Sequence, residues 1–465
     1  MMCTLSRDTI DNILARGRVY EVGGAVRDRY LSKANATKDR DYLVTGVPYD
    51  ELTRILKEHG RVDLVGRSFG VIKFTEFRRE TAYTFDISLP RKEHSTGIGH
   101  KDFDVNFNPS LPVEDDLARR DFTINAMALA LDTDELIDPF GGMVDLENKI
   151  LRMTSPRSFE EDPLRMLRAI QFAARFNFQI EVGTFEALRT HAALILSVSA
   201  ERIADELTKL LVQAEAPSIG FRLMRNSGLL QYILPELEAC VGVTQPGGYH
   251  KYDVFEHTLQ CIDSAKPSLG LRLAALFHDI NKPQAKRLVD DGCTFYGHET
   301  LGAKTARNVM DRLRFSKELN KEVTTLVERH MFTTDVSDKG LRRLVKRVGV
   351  DLIFDLLNLR RADVVAQGMG GKTEDVDIFE ANIRAELAKK PPFGLGDLAL
   401  TGTDVMEMFD IPPGPMVGKI LNFLLEKVLD EPEENTKEIL SRYAREYFSE
   451  PPSNDARKDI EEKDQ

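Results

Sequence analysis

Short hydrophobic runs fill the first third of the chain, and helical spacing of apolar positions replaces them further on. Runs rich in β-branched or aromatic residues predict strands at Val19 to Val22, Asp41 to Val44, Val71 to Phe77 and Thr84 to Leu89. In the same region helical spacing predicts two helices, Pro48 to His59 and Asp116 to Leu131. This mixture predicts an α+β fold for the first third.

From Ser158 onward the strand signals end and long amphipathic patterns predict helices. The clearest cover Leu164 to Phe176, Ala200 to Leu211, Leu271 to His278 and Leu301 to Leu313. Two Gly/Pro-rich stretches, Gln245 to Tyr249 and Lys390 to Gly396, are the expected domain boundaries. We therefore predict a mixed head (1–155), a helical region (156–245), a histidine-rich helical domain (246–390), a helical tail (391–448) and a disordered terminus (449–465).

Composition limits the class of protein. Hydrophobic residues make up 42% and charged residues 30% of the chain, which excludes both a disordered and a membrane-embedded protein. Lysine and arginine number 63 against 75 acidic residues, a net charge of −12, so a polyanion would have to bind at a local basic patch. Four cysteines without a CxxC pair, and an amino terminus without a signal-peptide pattern, favour the cytoplasm.

A glycine pair follows the first predicted strand and opens a helix. Gly23 and Gly24 would let backbone amides approach a phosphate at the helix amino terminus, and Arg27 lies one turn further on. An ordinary tight turn between a strand and a helix would produce the same pattern. The turn becomes a candidate triphosphate site only together with the residues that follow.

Two aspartates occur at the start of the next predicted strand. Because strand side chains alternate, Asp39 and Asp41 would project on one face about 7 Å apart at their Cα atoms. Such a pair of carboxylates can bind magnesium, and two ions could activate a hydroxyl and stabilise departing pyrophosphate. Asp86 would add a third carboxylate if its strand lies beside the first. A solvated strand end is the alternative interpretation.

Five motifs, in their order and spacing, resemble those of the bacterial-type (class II) tRNA nucleotidyltransferases, the CCA-adding enzymes. They are Gly23 to Asp28, the pair Asp39 and Asp41, Arg119 to Ala126, Asp138 to Gly142, and Glu161 to Ala169. The resemblance implies a polymerase-β-like nucleotidyltransferase head, followed by helical neck, body and tail regions that hold tRNA. It also implies magnesium at Asp39 and Asp41, triphosphate contacts from Gly23, Gly24, Arg27 and Arg120, and ribose contacts from Asp121 and Asn125.

Asp162 and Arg165 lie at a predicted helix amino terminus, where Ser158 and Glu161 resemble a capping box and Asp162-Pro163 offers a second helix start. Cytosine and adenine each present an amine donor beside a ring-nitrogen acceptor, whereas guanine and uracil present the reverse order. A carboxylate accepts and a guanidinium donates, so an Asp/Arg pair would satisfy cytosine or adenine only. The alternative is an ordinary ion pair between residues three apart on a surface helix.

In the resembling family the residues matching Asp162 and Arg165 read the incoming base, and Arg168 also touches the nucleotide. The implied partners are tRNA, CTP and ATP. The stretch from Ser88 to Asp116, in which Gly97 and Gly99 could act as hinges, matches a flexible segment that the family needs to switch from cytidine to adenosine addition. Its length favours the full activity, although an ordinary long surface loop would look similar.

Five of the nine histidines lie between His250 and His330. His257, the doublet His278-Asp279 and Asp363 resemble the metal ligands of an HD phosphohydrolase domain over about residues 250 to 368, with His298 and His330 available for a second ion or for substrate phosphate. The resemblance implies a divalent transition metal, whose bound water could hydrolyse phosphate esters, including 2′,3′-cyclic phosphates. The family usually has glycine where this chain has Asn281, a residue that tolerates left-handed backbone.

Four alternatives to CCA addition and repair remain open. They are a poly(A) polymerase, a cytidine-only or adenosine-only tRNA nucleotidyltransferase, a phosphohydrolase whose head only binds nucleotide, and a noncatalytic RNA-binding protein. Basic residues that could meet RNA phosphates are Arg165, Arg168 and Arg175 on one predicted helix, and Arg342, Arg343, Lys346 and Arg347 on another. The sequence does not indicate the oligomeric state.

Overall fold

The computed structural model describes residues 4–31, 40–66, 70–79, 81–95, 103–289 and 292–449. Asp39, Gly97, Gly99 and residues 450–465 of the predicted terminus lie outside the described residues. The chain divides into two compact units. The first comprises residues up to Val241 with Pro267–Leu269 and Val309–Phe315, and the second comprises Gly242–Lys266, Gly270–Asn308 and the chain from Ser316 onward. The finer division into head, neck, body and tail remains a prediction.

The first unit begins as a mixed sheet-and-helix fold and ends in helices. Its strands are β1 (Arg18–Val22), β2 (Asp41–Thr45), β3 (Gly60–Gly66), β4 (Val71–Arg78), β5 (Thr81–Ser88), β6 (Arg91–Ser95), β7 (Phe103–Phe107), β8 (Ala128–Ala130), β9 (Leu136–Ile137), β10 (Ile150–Leu151) and β11 (Gln179–Ile180). Its helices are α1 (Arg7–Leu14), α2 (Gly24–Tyr30), α3 (Tyr49–His59), α4 (Val113–Ala118), α5 (Gly142–Glu147), α6 (Ser158–Glu161), α7 (Leu164–Phe176), α8 (Val182–His191), α9 (Ala200–Gln213), α10 (Ser218–Asn226), α11 (Leu230–Ile233) and α12 (Pro235–Glu238).

One sheet organises this unit, with strand order β3-β4-β5-β2-β1-β8-β9. Within it β2 and β5 run parallel, whereas β1 is antiparallel to both of its neighbours, β2 and β8. Strand alternation gives the sheet two apolar faces. Residues such as Val19, Tyr42 and Phe85 pack with α1 and α3, while Val22 and Leu43 pack on the opposite face with α4. The four strands predicted from hydrophobic runs are confirmed as β1, β2, β4 and β5.

The long helix predicted from Asp116 to Leu131 is wrong. Helix α4 ends at Ala118, a single 3-10 turn covers Thr123–Asn125, and Ala128–Ala130 forms strand β8. Nearly every residue from Phe122 to Ala130 is buried. A short apolar run that is buried on all sides has no diagnostic period, so its spacing alone could not separate helix from strand.

The predicted change to helix after Ser158 is confirmed, apart from β11 and one short hairpin. Helix α7 is the centre of the helical part of the first unit: most of its residues are buried, and it packs against α9 and α10. It begins after Asp162-Pro163 and ends at Asn177, which adopts φ 56°. The left-handed asparagine satisfies the helix end as glycine often does.

The second unit is helical with one hairpin. Its elements are α13 (Val254–Ser264), α14 (Leu269–Phe277), α15 (Lys282–Ala285), β12 (Arg287–Val289), β13 (Gly292–Thr294), α16 (His298–Arg312), α17 (Lys317–Arg329), α18 (Asp338–Val348), α19 (Ile353–Ala366), α20 (Glu374–Ala388), α21 (Gly402–Phe409), α22 (Pro415–Asp430) and α23 (Lys437–Ser449). Helices α21 to α23 share an apolar cluster that includes Leu400, Leu424 and Leu440. Over the described ranges, every helix is too short or too polar to cross a lipid bilayer.

Candidate nucleotide-binding and metal sites

The turn between β1 and α2 is built around the guanidinium of Arg120. Gly23 adopts φ 70°, and a Cβ atom built on it would collide with Nη1 of Arg120. Arg120 also bonds Asp116 through Nη2 at 3.3 Å, whereas its buried Nε has no hydrogen-bond partner among the described residues. On the next residue, Gly24, a Cβ would lie 3.4 Å from Nη2 of Arg27. The two predicted arginines therefore both lie against the glycine pair. The Nε–H of Arg120 could donate a hydrogen bond to an anion bound there.

Asp41 and Asp86 lie next to each other on the sheet. Strands β2 and β5 pair in parallel with Asp41 opposite Asp86, which sets their Cα atoms about 4.8 Å apart. Both residues are exposed, and alternation places them on the face opposite α1 and α3. Asp41 also pairs with Val22, the last residue of β1 before the glycine turn. The edge that carries these carboxylates is thus continuous with the glycine turn against which Arg120 packs.

Arg40 anchors the chain immediately before Asp41. Its buried guanidinium donates to Glu21 at 2.5 Å, and Arg29 of α2 contacts the same carboxylate at 3.5 Å. The sequence did not indicate this pair, because Arg40 and Glu21 are 19 residues apart and meet only through the pairing of β1 with β2. The pair fixes the start of β2 against β1.

A chain of hydrogen bonds connects four of the predicted nucleotide-binding residues. Arg27 donates to Oδ1 of Asn125 at 2.6 Å, and Nδ2 of Asn125 donates to Oδ1 of Asp121 at 2.9 Å. Oδ2 of Asp121 accepts two bonds from Arg168, at 2.7 and 3.0 Å. Arg27 and Arg168 also both lie over the ring of Phe172.

Electrostatics keep Asp121 ionised within this network. Burial alone would raise its pKa, but the charge of Arg168 and hydrogen bonds from Asn125 and Arg168 outweigh burial, so the pKa is lowered. A fixed negative charge here orients the arginine that approaches from α7. The network therefore joins the glycine turn of the sheet to the helix that carries the candidate base-reading residues.

Asp162 and Arg165 are held separately, not as an intrahelical ion pair. Asp162 has an extended backbone and separates α6 from α7. Its carboxylate accepts from the backbone N–H of Leu164 at 3.2 Å and pairs with Arg202 at 2.9 Å. Arg165 donates to the backbone oxygen of Arg119 at 2.6 Å, to the hydroxyl of Ser158 at 3.0 Å and to Glu161 at 3.3 Å. The Ser158/Glu161 capping box does not form, since α6 has no side-chain cap. Of the two predicted helix starts, the one at Asp162-Pro163 is confirmed for α7.

Two residues of α9 that sequence reasoning missed support Asp162 and Arg168. Arg202 holds Asp162, and Glu206, one turn later, contacts Arg168 at 3.4 Å and Lys209 at 2.7 Å. Both project from the same side of a helix, as their spacing of four requires. That spacing was visible in the sequence, but nothing there indicated which helix would face α7.

The predicted motif from Asp138 to Gly142 is a structural turn in the first unit. The carboxylate of Asp138 accepts from the backbone N–H groups of Gly142 and Met143, at 2.7 and 2.9 Å. A Cβ on Gly142 would collide with the backbone oxygen of Thr123, and the hydroxyl of Thr123 donates to Asp145 at 2.7 Å. The motif therefore packs α5 closely against the turn that precedes Asn125.

The histidines and aspartates predicted in the second half come together in one buried cluster. Nε2 of His257 lies 3.2 Å from Nε2 of His278, 3.3 Å from Oδ2 of Asp279 and 3.1 Å from Oδ1 of Asp363. On the other side of the doublet, Oδ1 of Asp279 lies 3.3 Å from Nε2 of His298 and 3.9 Å from that of His330. Asp279 is therefore shared by two groups of potential ligands.

The imidazoles present acceptors to the centre of this cluster. Nδ1 of His278, His298 and His330 lies 2.7 to 2.8 Å from the backbone oxygens of Ala275, Phe295 and Val327, which a protonated Nδ1 satisfies. A ring that carries its only proton on Nδ1 would direct its Nε2 lone pair inward, where Nε2 atoms of neighbouring histidines approach to 3.2 Å. Lone pairs converging with two carboxylates fit a divalent cation, and the backbone bonds fix the ring orientation as in metalloprotein sites.

The pKa shifts agree with a cluster that attracts positive charge at one end. Burial by itself lowers the pKa of His257, but hydrogen bonds and charges from Asp279 and Asp363 raise it to about 9. At the other end burial lowers the pKa of His330 to about 3, with the charges of His278 and His298 acting in the same direction. The carboxylate side thus favours a cation, whereas His330 stays neutral and able to act as a ligand.

Asn281 does not need the left-handed conformation that the sequence comparison suggested, because its φ is −102°. Its Oδ1 instead accepts from the hydroxyl of Thr305 in α16 at 2.6 Å. Lys282, which sequence reasoning did not select, contacts Oδ2 of Asp279 at 2.7 Å. Lys282 therefore contacts the doublet directly, whereas Asn281 connects the following turn to α16.

The second predicted basic patch is largely neutralised. Arg343 pairs with Asp430 at 3.0 Å and Lys346 pairs with Glu426, both acids of α22. Arg342 is buried, donates to Glu386 at 2.7 Å and to the backbone oxygens of Leu429 and Asp430, and so caps the carboxyl end of α22. These contacts favour a structural role for this patch.

Family models match three parts of the chain. The description "Poly A polymerase head domain" applies to residues 19–152, "Probable RNA and SrmB- binding site of polymerase A" to residues 177–241, and a second domain of tRNA nucleotidyltransferases to residues 298–444. The mixed sheet and the match over residues 19–152 identify that part of the first unit as a polymerase-β-like nucleotidyltransferase head.

Two curated relatives indicate a tRNA nucleotidyltransferase family. The A-adding tRNA nucleotidyltransferase of Deinococcus radiodurans is 36% identical over 343 residues, which cover 69% of this chain and 76% of that protein. The multifunctional CCA protein of Nitrosococcus oceani is 39% identical over 309 residues, covering 64% of this chain and 71% of that protein. The chain belongs to the class II CCA-adding tRNA nucleotidyltransferase family.

Solved structures agree on the fold. The CCA-adding enzyme of Bacillus stearothermophilus in complex with CTP superposes with a TM-score of 0.70 at 23% identity, covering 95% of this chain and 96% of that one. The Thermotoga maritima CCA-adding enzyme complexed with tRNA gives a TM-score of 0.52 at 21% identity, covering 94% and 93%. At these identities the likeness concerns the fold.

Proposed function

We propose that this protein adds CMP and AMP to the 3′ end of tRNA, using CTP and ATP. The terminal 3′-hydroxyl of the tRNA attacks the α-phosphate of the bound nucleotide, and pyrophosphate leaves. The observation that carries the proposal is the hydrogen-bonded chain from Arg27 through Asn125 and Asp121 to Arg168, which begins at the glycine turn beside Asp41. It arranges phosphate-side, ribose-side and base-side groups along one continuous path. Solved relatives in complex with CTP and with tRNA support the choice of partners.

Asp41 and Asp86 are the described residues that would hold magnesium, with Asp39 proposed as the third ligand from its place two residues before Asp41. Exposed carboxylates on adjacent strands supply the hard oxygen ligands that this ion prefers. Magnesium supplies charge stabilisation to the reacting phosphate and lowers the pKa of the attacking hydroxyl. The protein itself contributes Arg27 and Arg120 to the triphosphate, and the Nε–H of Arg120 that has no partner would find an acceptor there.

Base selection rests on Asp162 and Arg165. An amine of cytosine or adenine donates to the carboxylate, while the guanidinium donates to the adjacent ring nitrogen. Uracil and guanine would place an acceptor at the carboxylate and a donor at the guanidinium. Because Arg202 and Glu161 already bond these groups, the base competes with existing partners, and a wrongly matched base leaves those partners in place.

The test uses the full-length protein with magnesium and a tRNA that ends at the discriminator base. CTP and ATP are supplied separately and together, and the added nucleotides are counted on a sequencing gel. Addition of C, C and A with both nucleotides is expected. No addition to this tRNA, together with addition of A to a tRNA that already ends in CC, would identify an adenosine-only enzyme, an outcome that the A-adding relative makes worth testing. Addition of cytidines without A would identify a cytidine-only enzyme, and a long run of A would identify a poly(A) polymerase.

We also propose that the second unit is an HD-type metal-dependent phosphohydrolase. His257, His278, Asp279 and Asp363 would hold one divalent transition-metal ion, and Asp279, His298 and His330 a second. Such an ion would activate water for the hydrolysis of a phosphate ester. The converging Nε2 atoms carry this proposal, since they approach one another to 3.2 Å beside two carboxylates and would offer their lone pairs to a cation bound between them.

Metal analysis of the purified full chain tests this second function. The wild type is expected to retain a transition metal after dialysis, and His278→Ala is expected to lose it along with hydrolysis of a 2′,3′-cyclic nucleotide. Hydrolysis that persists unchanged in His278→Ala would remove the assignment. Nucleotide addition by the first unit should be the same in both proteins, which provides the internal control for folding.

A further inference from the structure

We propose that His250 is an additional protein ligand of the ion held by His257, His278, Asp279 and Asp363, and that the two ion sites of the cluster are therefore unequal. The inference rests on the proposed metal centre and extends it to a residue outside the HD pattern. One site would have five protein ligands, whereas the other, formed by Asp279, His298 and His330, would have three.

His250 reaches the cluster from the segment before α13. One ligand atom each of His250, His257 and Asp363 lie within 4.8 Å of one another. The rings of His250 and His257 are nearly perpendicular, with centroids 4.9 Å apart. His250 is only partly buried, while His257 and Asp363 are buried. It therefore approaches the site from the solvent side.

The segment that carries His250 is tied to the elements that carry the other ligands. The backbone N–H of Lys251 donates to the backbone oxygen of Gln367, the residue that ends α19 after Asp363. Gln245, which is buried, accepts from Lys282 at 2.7 Å and donates to the backbone oxygen of Tyr252 at 3.4 Å. A histidine on an unanchored loop would not keep a fixed distance from Asp363. These bonds at both ends of the segment hold His250 in place.

Unequal ligand numbers predict different roles for the two ions. A site with five protein ligands is close to saturated, so its ion is held tightly and has little room for water or substrate. An ion with three protein ligands keeps open positions, as catalytic sites do. The reacting phosphate would accordingly bind at the ion held by His298 and His330, and Asp279 would couple it to the tightly held ion.

The experiment measures Zn²⁺ binding to the full-length, metal-stripped protein by competition with a chromophoric chelator, with total metal counted by mass spectrometry. The wild type is expected to bind two ions with different dissociation constants. His250→Ala should weaken the tighter ion by about 10-fold or more and leave the weaker one unchanged, because loss of even an outer-shell partner costs about 10- to 100-fold. His298→Ala should remove the weaker ion only.

Tyr249→Ala is the matched control, because Tyr249 precedes His250 on the same segment and its side chain is 75% exposed. Both dissociation constants should match the wild type. His250→Gln, which keeps the side-chain volume, repeats the test if the alanine variant unfolds early in a thermal melt. Two ions bound with unchanged constants in folded His250 variants would overturn the assignment of His250 alone. A wild type that binds no ion would overturn this assignment and the proposed phosphohydrolase together, without bearing on nucleotide addition.

Discussion

Replacing Asp162 by alanine should relax the choice between CTP and UTP. The carboxylate is the proposed acceptor for the amine of cytosine, and its negative charge repels the carbonyl oxygen that uracil presents at the same position. A buried polar group left without a partner costs about 1 to 3 kcal/mol, equivalent to about 5- to 150-fold in a rate ratio. The ratio of CMP to UMP incorporation should therefore decrease by about 5- to 150-fold relative to the wild type.

The same substitution affects stability only slightly. Asp162 accepts from the backbone N–H of Leu164 at the start of α7 and pairs with Arg202, whose side chain is partly exposed. Loss of such a cap costs about 1 kcal/mol, and a partly exposed ion pair contributes at most about 1 kcal/mol. The variant should therefore remain folded at assay temperature, which a urea titration will verify.

Single-turnover incorporation into a tRNA lacking its CCA end measures the effect, with CTP and UTP in parallel reactions. Asp162→Asn keeps the cap oxygen but adds an amide donor, so it should accept UTP better than the alanine variant does. Glu160→Ala, an exposed change in the neighbouring helix α6, is the matched control and should keep the wild-type ratio. A CMP to UMP ratio within twofold of the wild type in both Asp162 variants would refute the base-reading role.

Three further outcomes are expected. Arg202→Ala should lower the CMP to UMP ratio in the same direction as Asp162→Ala but by less, measured in the same assay, because the carboxylate is kept and only its orientation is lost; an unchanged ratio would contradict the positioning role. Arg342→Met should lower the free energy of unfolding by about 1 to 3 kcal/mol in urea, since it removes the buried guanidinium from Glu386 and from two backbone oxygens of α22 while Lys389 still pairs with Glu386, whereas Arg384→Met, at an exposed pair, should change it by less than about 1 kcal/mol. Because the pKa of Asp121 is lowered in the folded state, the stability it contributes is present above its unfolded pKa and is lost as the pH falls through the folded value, so Asp121→Asn should flatten the acid side of a stability–pH curve below about pH 4; a parallel curve would show that Asp121 is not the group responsible.

Local patterns sufficed for the elements of the head that carry chemistry. The short hydrophobic runs that end at Val22 and begin at Asp41 predicted strands, and the structure has them as β1 and β2. The pairing of Asp41 with Asp86 could only be stated as a condition, because strand order depends on contacts between residues far apart in sequence. Asp39 and the segment around Gly97 lie outside the described residues, so their predicted roles stay predictions.

Residues that act by supporting other residues were harder to find. Arg202 and Glu206 lie on an ordinary amphipathic helix, and only the packing of α9 on α7 shows that they meet Asp162 and Arg168. Conversely, Arg343 and Lys346 resembled a phosphate-binding patch because their acidic partners in α22 are more than about 80 residues away in the sequence. Charge clusters therefore need tertiary contacts before they can be assigned to a ligand.

The contact between Gly23 and Arg120 links two positions that are far apart in the sequence. Since any side chain at position 23 would occupy the space of the guanidinium, saturation mutagenesis of that codon should recover glycine alone while Arg120 is retained. A shorter residue at position 120 would relieve the collision, but it would also remove the proposed triphosphate contact and would leave the left-handed backbone at position 23 (φ 70°) unfavourable for a side chain. Glycine is therefore required at this position by the backbone and by the neighbouring arginine at the same time.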